Sequence, residues 1–173
     1  MALTQIIGSG ISGVTVGNFI TVVDQFRLTA DITGTNADIT SNLERVDHTG
    51  AGFVTTGGQM SESSGIFTFP VTGIYEIFVV ASLAPQDDNS VNLGTQVTIN
   101  NSDFTNIANA QDGNRLASST TGASGSSQCF IDVTDTSNVK VKFTTSSMAT
   151  NSVVSGNTNA NNTTFTFVRL GDT

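Results

Sequence analysis

Gly65-Ile-Phe-Thr-Phe-Pro-Val-Thr-Gly-Ile-Tyr-Glu-Ile-Phe-Val-Val-Ala81 reads as a strand, a corner and a second strand with nothing between them. Both arms are built from β-branched and aromatic residues, which suit a pleated, packed surface. Pro70 cannot donate to a ladder, so the first arm ends before it, and Gly73 supplies the freedom to turn. In the second arm Tyr75, Ile77 and Val79 point to one side, and Ile74, Phe78 and Val80 point to the other. A strand that is apolar on both faces is covered on both. In a two-sheet protein one cover is the opposing sheet, and the other is a further layer or a partner subunit. This reading places Tyr75 and Ile77 in the core and Ile74, Phe78 and Val80 against that second cover.

The flanking sequence extends the same pattern. Residues 20–30 alternate, with Ile20, Val22, Phe26, Leu28 and Ala30 on one face and Asp24 interrupting it. Residues 31–58 are polar and punctuated by glycine, which predicts loops and short edge strands near 43–46 and 53–55. Residues 84–90 form a turn cluster, and 94–100 a strand with Val97 and Ile99 inward. Gln111-Asp-Gly-Asn114 is either a tight hairpin turn or a plain loop. Residues 117–127, nearly all Ser, Thr, Gly and Ala, read as an exposed loop. Cys129, Ile131 and Val133 alternate, 134–138 turns, and Val139, Val141 and Phe143 alternate again, which predicts a hairpin with Lys140 and Lys142 outward. A long loop fills 146–162. The final strand, 163–170, is apolar enough to be central rather than at an edge. The predicted core is Phe26, Phe69, Tyr75, Ile77, Val141, Phe143 and Phe165.

Composition agrees with an all-β chain. Of 173 residues, 37% are hydrophobic and only 12% charged, and no segment sustains a 3.6-residue apolar period. This length predicts one domain with some extra chain. The net charge is −8, and the six basic residues are scattered, which argues against nucleic acid and against an anionic membrane surface as partners. The single Cys129 excludes an intramolecular disulfide and reads as a buried, inert thiol. The first residues lack a basic region followed by an apolar run, so no secretory signal is expected, nor any transmembrane helix. Residues 1–19 are rich in Gly and Ser and read as an N-terminal docking segment, with Leu3, Ile6, Ile7, Ile11 and Val14 as its apolar contacts. Residues 20–173 are the folded domain.

The order of elements resembles the globular C1q domain, of the C1q/tumour-necrosis-factor jelly-roll superfamily. Ser63-Ser-Gly-Ile-Phe-Thr-Phe-Pro-Val-Thr-Gly-Ile-Tyr75 is similar to that family's central signature. The strand at 20–30, the segment 128–143 and the strand at 163–170 fall in register with further family elements, so the resemblance spans about residues 20–171. Departures are Thr136-Ser-Asn138 where the family has a Gly-Asp turn, Phe167 where it has a glycine, and the lack of a collagenous Gly-X-Y stalk. The resemblance implies a ten-stranded jelly-roll sandwich that trimerises about a three-fold axis, with Ile74, Phe78 and Val80 at the trimer interface. Ile20-Thr-Val-Val-Asp-Gln-Phe-Arg-Leu-Thr-Ala-Asp31 and Ser41-Asn-Leu-Glu-Arg-Val-Asp47 also look like proteins of marine bacteriophages.

Catalytic options are few. His48 sits in a polar turn and reads as solvated, and no nucleophile elbow, phosphate loop or metal-ligand spacing is present. Asp87 and Asp88 are weak candidates for calcium, read first as an acidic turn, and Asp112, Asp132 and Asp135 are weaker still. No catalytic residue and no cofactor are expected. The resulting expectation is a phage virion structural protein made in the host cytoplasm. It would be a trimeric capsid decoration protein that docks through residues 1–19 onto capsid or tail proteins of the same particle. The alternative is a fibre or tail-tip recognition module that binds a host-surface glycan or protein through its loops at 84–92, 112–127 and 146–162.

Overall fold

The computed structural model describes residues 20–47, 56–86, 90–113 and 122–173. It holds β1 (Val22–Leu28), β2 (Ile32–Thr33), β3 (Leu43–Arg45), β4 (Thr56–Gly57), β5 (Ser61–Ser63), β6 (Ile66–Thr68) and β7 (Gly73–Ala84). These are followed by β8 (Ser90–Thr98), β9 (Thr105–Gly113), β10 (Ala123–Val133), β11 (Lys140–Ser146), β12 (Val153–Val154) and β13 (Thr164–Gly171). Ten of these strands have three residues or more, three have two, and no helix occurs among the described residues.

The strands form two antiparallel sheets of eight and five strands. β7 is the spine of the larger sheet. β10 lines one side of it along its whole length. On the other side β13 pairs from Ile74 to Val80, and β12 takes over at Leu83 and Ala84. β1 pairs the far side of β13, β3 and β4 pair β1, and β2 pairs β12. The smaller sheet runs β5-β6-β11-β8-β9. β7, β13, β1, β8 and β11 are paired on both sides, whereas the long strands β10 and β9 each end a sheet, bonded only to β7 and only to β8, and the short β2, β3 and β5 lie at the other rims.

The corner read from the sequence is the crossing between the sheets. β6 ends before Pro70, and Gly73 starts β7 with φ at +145°, where a Cβ would run into the Gly171 carbonyl and the Arg169 guanidinium. Tyr75 closes this corner by donating its hydroxyl to the Val71 carbonyl at 3.0 Å. Alternation on β7 then carries Tyr75, Ile77, Val79, Ala81 and Leu83 into the core, all buried. Phe67 of β6 is the hub of that core. Its ring lies 5.0 Å from Phe26 and 5.2 Å from Phe167 across the sandwich, and 5.5 Å from Phe143 within its own sheet. Phe69 stacks on Tyr75 at 4.7 Å and Phe143 on Phe165 at 4.1 Å. Val141 is buried beside them.

The structure departs from the sequence reading in several places. Residues 129–143 are not a hairpin: β10 pairs with β7 in the larger sheet, while β11 pairs with β6 and β8 in the smaller one. Alternation reports which face is buried but not which strand lies alongside. The polar run expected to be a loop up to residue 127 enters β10 at Ala123 because β7 offers an open ladder edge there. Gly125 lets β10 close onto β9, since a Cβ there would stand 2.9 Å from the Gln111 amide nitrogen. Ile99 does not point inward and is 77% exposed, because β8 ends at Thr98 and the chain turns. The segment 146–162 is not a free loop. It contains β12, and Ser155 and Asn157 donate backbone hydrogen bonds to Ser82 and Leu28. Strand β1 is shorter than 20–30, with Ile20 and Ala30 both exposed. The strand expected at 53–55 lies outside the described residues.

Candidate assembly surface

The outer face of the larger sheet is the most distinctive surface among the described residues. Register builds it row by row. One row runs Val23, Val168, Glu76, Phe130 across β1, β13, β7 and β10, and the next runs Gln25, Thr166, Phe78, Gln128. Phe130 is 62% exposed and Phe78 38% exposed, while Ile74 and Val80 are half-buried. At one end of this face a bulge in β13 leaves Leu170 45% exposed. Two polar pairs stand on this face. Gln25 donates to the Thr166 hydroxyl at 2.7 Å, and Gln128 donates to the Glu76 carboxylate. The Glu76 carboxylate is thus held by a neutral amide between two phenylalanines, and a second carboxylate, Asp132, lies exposed on β10 opposite Ile74. Aromatic side chains left in water beside aliphatic ones, rimmed by polar groups, mark an interaction surface.

Ile74, Phe78 and Val80 lie on this outer face, and Phe26, Phe69, Tyr75, Ile77, Val141, Phe143 and Phe165 are buried on the inner ones. Phe130 was not among the residues singled out from the sequence. Its signal is an aromatic on the polar side of an alternating strand, between Cys129 and Ile131. Leu3, Ile6, Ile7, Ile11 and Val14, the weak calcium candidates Asp87 and Asp88, and His48 all lie outside the described residues.

Under the face, β1 carries a buried charge. The Asp24 carboxylate is fully buried among core side chains. It accepts from Arg45 Nε at 2.9 Å and Nη2 at 3.1 Å, and from the Met60 amide at 2.9 Å. Arg45 also donates to the Met60 carbonyl at 2.6 Å and lies 4.8 Å from the centre of the Phe26 ring. One carboxylate thus ties β1, β3 and the chain entering β5 together. Arg27, buried on the opposite side of β1, pairs with Glu44 and Asp47, each at 2.6 Å.

No other arrangement of reactive groups among the described residues suggests chemistry. Among the described residues no three His, Cys, Asp or Glu side chains converge as metal ligands. Burial pushes the Cys129 thiol up to about 11, the opposite of what a nucleophile needs. Burial also raises the Tyr75 phenol, against smaller lowering contributions from Arg169 and the Val71 hydrogen bond. Asp135 is lowered by the Ser137 amide and the other donors of its own turn, a structural role.

No protein-family model and no curated protein matches the sequence. Solved structures do match the fold. A crystal structure of murine APRIL superposes with a TM-score of 0.61 at 12% identity, covering 86% of this chain and 98% of that chain. The fold is a TNF-like jelly roll. Eiger TNF from S. frugiperda superposes with a TM-score of 0.60 at 9% identity, covering 90% of this chain and 96% of that chain. At such identities the likeness concerns the jelly-roll fold alone.

Proposed function

We propose that the protein is a virion structural protein. Three copies assemble through the outer face of β7, β10 and β13, and the trimer decorates a phage capsid, docking through residues 1–19. The observation that carries the assembly step is Phe130, exposed beside Phe78 on a face that no further layer of the described chain covers. Closed symmetric association lets one self-complementary patch be buried on every copy, with aromatics at its centre and polar residues at its rim. The C1q-like resemblance of residues 63–75 implies a three-fold arrangement, and the phage-like stretches at 20–31 and 41–47 support the virion setting. On this reading the role is mechanical, with buried apolar area clamping a particle surface and no bond made or broken.

Light scattering of the full chain and of a chain starting at residue 20, followed by binding to empty particles, tests the proposal. The expected result is a trimer in both cases and attachment only when residues 1–19 are present. A monomer at working concentration removes the assembly step. A trimer that ignores particles but binds host cells supports the fibre or tail-tip recognition module instead.

A further inference from the structure

A cleft of about 290 Å³ opens beside β11, lined by residues of the 32–42 segment and by Thr145. We propose that it is a binding site for one neutral sugar ring. The site is built from a single chain and does not depend on trimer formation or on a virion setting.

The walls are fixed by pairing. β6 covers β11 only at Lys140 and Val141, which leaves the same edge of β11 open further along. Residues 37–39 fill that edge: Ile39 donates to the Phe143 carbonyl and Thr145 to the Ala37 carbonyl, both at 2.9 Å. The Thr145 hydroxyl adds a hydrogen bond to the Thr35 carbonyl at 2.6 Å. A cleft stitched this way is largely formed before any ligand arrives, as small-molecule sites usually are. Its size is near the lower end for such sites, about 300 Å³, and suits a single ring.

The lining has two chemistries. Ile39, buried, and Ile32, half-buried, provide an apolar floor. The rest of the lining includes Thr40, Ser41 and Asn42, all exposed, which bring two hydroxyls and a carboxamide to the cleft. Asp38 completes the rim. One of its oxygens accepts from Lys142 at 2.8 Å, and that ammonium also lies 4.4 Å from the centre of the Phe104 ring. A sugar ring presents the complement, an apolar C–H face and a ring of hydroxyls that both donate and accept.

Other ligand classes fit less well. An anion meets the Asp38 carboxylate, a lysine already paired, and a chain of net charge −8. A divalent cation finds a single carboxylate, already paired with Lys142, among otherwise neutral oxygens. A lipid tail would strand the polar rim without hydrogen bonds.

The test titrates the isotope-labelled full chain with methyl glycosides of glucose, galactose, mannose and N-acetylglucosamine, following backbone amide shifts. At least one sugar is expected to give saturable shifts at residues 32–42 and Thr145, with millimolar affinity. Ser41→Trp, which fills the cleft from an exposed position, abolishes them. Thr40→Val, which removes only a hydroxyl, weakens binding about three- to tenfold, the effect of one lost hydrogen bond. The proposal is overturned if no sugar saturates, if the shifts survive Ser41→Trp, or if calcium chloride moves these amides while the sugars do not.

Discussion

Replacing Phe130 by alanine should loosen the proposed trimer without touching the fold. The side chain is 62% exposed in the single chain. Full burial of a large apolar side chain is worth about 1.5–3 kcal/mol, so covering this exposed share contributes about 1–2 kcal/mol per copy. Three copies contribute about 3–6 kcal/mol, or about 10² to 10⁴ in the association constant. The concentration at which a trimer half-dissociates varies as the square root of that constant, so the midpoint moves about 10- to 100-fold upward. Sedimentation velocity over a dilution series reads this directly. Ile99→Ala is the control, since Ile99 is 77% exposed but lies in the turn after β8, off this face. Urea unfolding at concentrations where both variants are monomeric should agree with the parent within about 0.5 kcal/mol. An unchanged midpoint for Phe130→Ala, or an equal shift for Ile99→Ala, would refute the assignment of this face.

Two further outcomes follow from the interior. Asp24→Ala leaves Arg45 and the Met60 amide without their acceptor, and the domain should lose about 3–5 kcal/mol by urea denaturation. The joint change Asp24→Leu with Arg45→Met should recover most of that loss, because what costs is the orphaned partner rather than the absence of the pair. Stability should also fall as pH climbs from about 9 to about 11. Cys129 holds its proton up to about 11 in the folded chain but releases it near 9 when unfolded, and Tyr75 is raised in the same sense. The folded state therefore binds more protons across that window, and deprotonation favours unfolding. Thermal melts with Cys129→Ala should show a shallower alkaline decline.

Several features that local chemistry dictates are legible along the chain. The corner at Pro70 and Gly73, the two-faced strand after it and the apolar final strand are written in residue type and alternation. Their physical causes act within a few residues: a missing amide proton, a permitted φ, a side chain up or down. The candidate surface was half legible in the same way, through Ile74, Phe78 and Val80 on the far side of Tyr75. Partnership between distant segments was not legible. Asp24 reads as a flaw in an apolar stripe until Arg45 and Met60 are brought against it. The Ser/Gly-rich start of β10 has little strand propensity and becomes a strand only because β7 presents an unpaired edge. Cys129 to Phe143 carries the alternation of a hairpin, yet its halves serve different sheets. Side-chain period fixes which face of a strand is buried, whereas the choice of neighbour depends on which backbone edges remain open once the whole sandwich has closed. Tertiary structure alone put Phe130 beside Phe78 and raised the cleft at residues 32–42 against β11.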